Sequence, residues 1–184
     1  MKKNEFKLLA CSMILAAAGF TSCASSDNPV VDVPSKDEPV NAIPKDYAGT
    51  PFFGEPTVLP GQIDCIYFDK GGRGVAFDWN DGVGGGDRPD GEGDVNFIWG
   101  FARLGWLNGS DQNWAKYTVH VEKTGDYDFQ SNGVNFRFTF GDDSEAQETA
   151  QTLWEDVHVK QGDYVLKIWY PSGDDAVAIS VTEN

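Results

Sequence analysis

Between Asp78 and Asp94 the chain reads DWNDGVGGGDRPDGEGD, with six acidic side chains and six glycines around a single base, Arg88. Carboxylates clustered on a flexible loop are what a hard cation such as calcium requires. The EF-hand spacing fails in both frames that could be tried. Starting at Asp78 puts Gly82 at the fifth position and Val83 where the sharp turn needs glycine, and starting at Asp90 puts Val95 there. The Gly84-Gly85-Gly86-Asp87 run occurs once, so it is not a repeating calcium roll. A calcium site of another type stays open beside the plainer reading of a solvated loop. A phosphate cradle is excluded by charge, because six acids would face the anion and no lysine accompanies the glycines.

Catalytic patterns are equally sparse. His120 and His158 fall on polar positions of alternating stretches, away from any cysteine, serine or second histidine in motif context, and read as solvated strand residues. Carboxylate pairs for glycoside hydrolysis are uninformative where 29 acids offer many combinations. What stands out is aromatic surplus. Six tryptophans occupy positions 79, 99, 106, 114, 154 and 169, and flat rings suit the apolar faces of sugars. Trp114 and Trp154 lead into apolar alternation and are assigned to the core. Trp79, between Asp78 and Asn80, and the Trp99/Phe101/Trp106 segment are harder to bury on pattern alone.

The elements that must position these residues are strands. Tyr117, Val119 and Val121 alternate with Thr118 and His120, and Val134, Phe136, Phe138 and Phe140 alternate with Asn135, Arg137 and Thr139. Tyr164, Leu166, Ile168 and Tyr170 alternate with Val165, Lys167 and Trp169, and Val177, Ile179 and Val181 share a face near the end. Period-two patterning with turns at Thr124-Gly125-Asp126 and Gln161-Gly162-Asp163 argues for antiparallel strands. The sole helical expectation is a turn or two in SEAQETAQTLW. The predicted class is all-β, an antiparallel two-sheet sandwich of jelly-roll type.

Ahead of this domain lie two segments of different character. Residues 1–22 carry Lys2, Lys3 and Lys7, then an apolar run from Leu8 to Phe20, which reads as a secretory signal too short to span a bilayer. The end, Phe20-Thr21-Ser22-Cys23, resembles a bacterial lipoprotein signal, which implies that Cys23 is acylated; the alternative is an ordinary secretory peptide cut nearby. Ala24-Ser25-Ser26-Asp27 partly resembles the export tags of surface lipoproteins in Bacteroides-type bacteria. Residues 23–50 hold prolines at 29, 34, 39 and 44 without a hydrophobic period, the pattern of an extended spacer. That leaves residues 51–184 as one domain. With Cys11 lost in the signal and Cys23 lipidated, Cys65 has no partner for an internal disulfide. The whole chain carries −15; residues 1–22 contribute +2, three lysines against one glutamate, so −17 remains after processing. Such a surface repels nucleic acid and anionic headgroups, so no nucleic-acid partner is expected, and contact with membrane is expected only through the lipid.

The stretch PTVLPGQIDCIYFDKGGRGVAFDWNDGVGGGDRPDGEGDVNF resembles the first part of family 6 carbohydrate-binding modules, with their "LPG-I-E-A-E-D-F-D-x-GG-x-GVAY" and "GG-x-YR" patterns. NWAKYTVHVEKTGDYDF and TLWEDVHVKQGDYVLKIWY are similar to later strands of that family, so the similarity runs from about Pro51 to Asn184. It implies a jelly-roll sandwich that binds polysaccharide without cutting it and that is often joined to a glycoside hydrolase. Carried over by residue, the family's loop tyrosine becomes Asp87 while Arg88 is kept, its platform tryptophan becomes Gln151, and its late asparagine becomes Ala178. The family's structural calcium positions become Asp64, Ile66 and Ser180, of which Asp64 is a metal candidate, and Cys65 between the first two is expected to be a buried, inert thiol. Carbohydrate recognition is therefore expected from Asp87, Arg88 and Gln151 as hydrogen-bonding groups, with Trp79 and Trp99 as stacking rings. The expected function is non-enzymatic polysaccharide or oligosaccharide binding by an outer-membrane lipoprotein, surface-exposed or periplasmic, within a polysaccharide-utilisation system. The alternative is a structural or protein-interaction sandwich that has lost sugar binding, as the three departures suggest.

Overall fold

A computed structural model of the chain describes residues 38–78, 88, 96–98, 101–103, 112–141, 143–171 and 176–184. The chain divides into two compact units, residues 1–33 and 34–184, and everything described belongs to the second. The expected signal segment, Cys23, and the candidate site residues Trp79, Asp87 and Trp99 lie outside the described residues.

Twelve strands are described: β1 (Val40–Asn41), β2 (Thr57–Leu59), β3 (Gly61–Asp64), β4 (Phe77–Asp78), β5 (Asn96–Ile98), β6 (Phe101–Arg103), β7 (Trp114–Val121), β8 (Gly125–Ser131), β9 (Arg137–Thr139), β10 (Leu153–Val159), β11 (Gly162–Trp169) and β12 (Ala178–Glu183). The protein is all-β among these residues, with two main sheets consistent with a sandwich. The first runs β1-β11-β7-β2, with β4 also pairing β7 and β9 also pairing β11; the second runs β10-β8-β12-β3. Strands β5 and β6 form a separate antiparallel pair. Within SEAQETAQTLW the helical expectation contracts to one 3-10 turn at Asp143–Glu145, and Leu153 already begins β10. The segment lacks an apolar stripe to hold a longer helix against the core.

The inward residues follow the period-two pattern. Ala115, Tyr117, Val119 and Val121 of β7 and Tyr164, Leu166 and Ile168 of β11 meet Ile63, Tyr127, Phe129, Ile179 and Val181 of the second sheet in one cluster. The rings of Phe129 and Phe138 stack across it at 4.8 Å. Each such side chain contributes about 1.5–3 kcal/mol on burial. Two hydroxyls enter this core and satisfy one another: Tyr117 donates to the Cys65 carbonyl at 2.8 Å and lies 2.8 Å from the Tyr170 hydroxyl. Cys65 itself is buried and free, and burial pushes its thiol up to about 12, so it is unreactive.

Most pairings are antiparallel, as the alternation predicts, but the turns at Thr124–Asp126 and Gln161–Asp163 join strands that do not pair with one another: each carries the chain from one sheet to the other, β7 to β8 and β10 to β11. Antiparallel partners come from further away, β11 against β7 and β8 against both β10 and β12, while β1∥β11 and β2∥β7 are parallel. The boundary at residue 50 also moves. Part of the proline-rich segment is built into the domain, because Val40 N and Ala42 N donate to the Gln161 and Asp163 carbonyls at 2.8 Å. Pro39 and Pro44 bracket this short edge strand without interrupting it, as proline at a sheet edge can.

The β1–β11 junction requires glycine. Gly162 pairs with Val40, holds φ at +149°, and a Cβ there would stand 1.9 Å from the Val40 carbonyl oxygen. Gly162→Ala is expected to lower stability by at least about 2 kcal/mol through backbone strain and to release β1. Urea denaturation, together with faster proteolysis around residue 40, checks both effects.

Candidate functional site

Strands β7 and β11 bury their inward side chains in the core, so their alternate residues form the outer face of the first sheet. Their register places Trp169 opposite Trp114, Lys167 opposite Lys116, Val165 opposite Thr118 and Asp163 opposite His120. Strand β9 adds Arg137 beside Trp169, and β4 adds Asp78 beside Trp114. One transverse row thus reads Arg137, Trp169, Trp114, Asp78, and the next reads Thr139, Lys167, Lys116. Lys167 Nζ lies 4.4 Å from both indole centroids, and Arg137 Cζ lies 5.0 Å from that of Trp169. Contacts of this kind contribute about 0.5–2 kcal/mol each. The 3-10 turn reaches over this face, where Asp143 Oδ2 accepts from Lys167 Nζ at 2.6 Å. The middle of the face is covered, with Lys167 8% and Trp169 6% exposed, while Trp114, Lys116 and Arg137 remain half-buried.

Beside Lys116 the face opens into a cavity of about 330 Å³, lined by Pro44, Asp46, Tyr47, Ala48, Gly74, Val75 and Lys116. Its position depends on Asp69, which is 2% exposed. Thr118 donates to it twice, from N at 2.9 Å and Oγ1 at 2.6 Å, and the Tyr47 hydroxyl donates at 2.7 Å. Burial raises the Asp69 carboxyl above its ordinary value, and these hydrogen bonds and the Arg88 charge pull it back. Burial and the Asp69 charge also raise the Tyr47 phenol, so the ring stands neutral as a hydrogen-bond donor. Lys116 Nζ lies 5.1 Å from the Tyr47 ring and 5.3 Å from Trp114. The cavity therefore joins a neutral aromatic wall to an ammonium and, through Asp46, a carboxylate. That combination suits a small polyhydroxylated ligand.

The expected contacts are dispersed. Arg88, expected at the rim, is 1% exposed: it donates to the Phe68 carbonyl and stacks on Phe68 and Phe52, at 3.8 and 4.9 Å from the ring centroids. As placed, its guanidinium is buried against the body of the domain and is closed to a ligand. Gln151 is exposed and its backbone bridges to Phe136. Asp64 is exposed at the end of β3, accepting from the Gln62 side chain, while Ile66 is buried in the core. Among the described residues no three histidine, cysteine or carboxylate side chains converge on a metal position. A smaller cavity of about 220 Å³ does lie beside Asp64, lined also by Phe53, Thr57, Gln62, Ile63, Tyr67 and Tyr117.

Trp154 packs against the core as expected and donates to the Phe136 carbonyl at 3.0 Å. Trp114 does not, because its strand parity matches Lys116 and Thr118 and turns it to the outer face. The residues that sequence reasoning missed, Trp114, Lys116, Lys167 and Trp169, do carry a signal. Trp-Ala-Lys at 114–116 and Lys-Ile-Trp at 167–169 place the same two residue types at spacing two, in opposite order, on strands that pair antiparallel. Both histidines are on outer faces, each against an aspartate of a neighbouring strand, His120 with Asp163 at 2.6 Å and His158 with Asp126 at 2.8 Å.

No protein-family model matches the chain, and no curated protein matches it in sequence.

Asp69→Ala leaves the Thr118 amide, the Thr118 hydroxyl and the Tyr47 hydroxyl without their acceptor. A loss of about 3 kcal/mol is expected from the three stranded donors. Chemical denaturation measures it, and Tyr47→Phe, which strands nothing on the donor side, is expected to cost about 1 kcal/mol.

Proposed function

We propose that this protein binds carbohydrate without cleaving it, through the outer face of its first sheet. The observation that carries the reading is the 330 Å³ cavity, where the Tyr47 ring, Lys116 and Asp46 meet beside the Trp114–Trp169 row. Aromatic faces and a few convergent polar groups in a cavity above about 300 Å³ are the usual makings of a small-ligand site. The resemblance of residues 51–184 to family 6 carbohydrate-binding modules supports the same reading and a jelly-roll path for the chain. In this reading Cys23 carries lipid and anchors the domain at the outer membrane of a Bacteroides-type bacterium, facing the surface or the periplasm. Its partners are then a polysaccharide and a glycoside hydrolase or other protein of the same utilisation system.

A second reading, a protein-interaction module that has lost sugar binding, is favoured by the cover over Trp169 and by Phe53, which is 72% exposed against Phe52 and Tyr67. Calorimetric titration of the domain against a broad glycan panel separates the two: binding of any oligosaccharide supports the first, and silence across the panel with capture of a protein partner supports the second. Under the first reading Trp114→Ala is expected to weaken glycan binding by roughly tenfold, the upper end of ring-stacking contributions, in a domain that still folds but melts somewhat lower for the loss of its two cation–π contacts.

A further inference from the structure

Strands β7 and β11 set Lys116 and Lys167 directly opposite one another, and like charges at directly opposed positions destabilise a sheet. The two lysines are treated differently. Lys167 is neutralised by Asp143 at 2.6 Å and rests between two indole rings. Lys116 is half-buried, and among the described residues no carboxylate lies within ion-pairing distance of its Nζ. Burial and the Lys167 charge both lower its pKa, against weaker opposing pulls from Asp143, Asp46 and Asp69. Among the described residues this partly desolvated ammonium, at the lip of a cavity, has two aromatic rings against it and no carboxylate in contact, a position that an anionic group of a ligand would complete.

We propose that the Lys116 ammonium receives the carboxylate of an acidic sugar, so that the glycan bound at the Tyr47 cavity contains uronic acid. This rests on the carbohydrate reading above. A uronate presents an apolar ring face and a carboxylate on the same residue, and Lys116 offers the matching pair: its Nζ stands about one ring-width from both Tyr47 and Trp114. Asp46, exposed on the cavity wall, sets the opposite bias and limits how many anionic groups the site accepts.

Calorimetry on the intact domain tests this with three oligosaccharide sets: neutral hexose or pentose oligomers, uronate oligomers such as oligogalacturonate, and sulfated neutral oligomers. Uronate oligomers are expected to bind at least tenfold tighter than neutral ones, and the preference is expected to shrink as salt rises. Lys116→Met is expected to lose about tenfold to a hundredfold in uronate affinity and to lower neutral-oligomer affinity much less, so that the uronate preference collapses. Asp46→Asn, at an exposed position where folding is not at stake, is expected to tighten uronate binding severalfold. Equal affinity for neutral and uronate sets, or insensitivity of uronate binding to both substitutions, overturns the acidic-sugar assignment and leaves carbohydrate binding standing. A preference for the sulfated set also overturns it, transferring the site to sulfate esters. Silence towards all three sets overturns the carbohydrate reading itself.

Discussion

Asp69 is the point on which the described structure turns. Its carboxylate, almost without solvent, takes two hydrogen bonds from Thr118 of β7 and one from Tyr47 of the segment that follows β1. Its backbone N–H donates to the Lys116 carbonyl at 2.8 Å, and the buried Arg88 stands close enough for its charge to favour the ionised carboxyl. One group therefore ties together the central strand, the N-terminal arm and the one described residue of the long acidic loop. A buried carboxylate persists when donors surround it, and the same donors fix the ring that walls the cavity. The candidate site inherits its geometry from a core polar contact, so it is held by the fold and needs little ordering when a ligand arrives.

The two sheets differ in what their outer faces carry. The first carries Trp114, Lys116 and Arg137, half-buried, around the covered Trp169 and Lys167, together with Asp163 and Asp78. The second carries Asp126 and Asp128 on β8, Asp156 on β10 and Asp64 on β3, with Asn184 bridging Asp128 and Asp156 at 2.8 and 3.1 Å. Hydrogen bonds from Asn184 and the Asp156 amide hold Asp128 below the usual carboxylate range, so this one carboxylate stays charged in mild acid.

Period-two alternation made the core of β7, β11 and β12 legible, because an inward apolar residue every second position leaves little choice of face. What alternation cannot carry is which strand pairs with which. The turns at Thr124–Asp126 and Gln161–Asp163 look like hairpin turns in sequence, yet they cross between sheets, and only tertiary packing distinguishes the two uses. The N-terminal strand was hidden for a related reason: two residues between prolines gain their hydrogen bonds from β11, not from any local propensity. Arg88 escaped in the opposite direction. An arginine in an acidic, glycine-rich loop reads as solvated, whereas a guanidinium's flat, weakly hydrated face lets it lie on Phe68 and Phe52 and cap a backbone carbonyl in the interior.

The tryptophans show the same division most sharply. Trp114 and Trp154 both precede apolar alternation, but parity decides their fates. Trp154 edges onto Phe138 at 6.0 Å inside the core, and Trp114 stands one residue out of phase with Ala115 and faces away. Strand β11 then goes further than a sandwich requires, burying Val165, Lys167 and Trp169 on its outer side as thoroughly as Leu166 and Ile168 on its inner side. Desolvating Lys167 is costly and is offset by Asp143 and the two indoles; a valine or threonine would fill a covered sheet position without that cost. Retaining a lysine there fixes both indole planes and leaves its cross-strand neighbour Lys116 as the cation that meets the cavity. Under the proposed carbohydrate reading, that placement is what gives the cavity its cation.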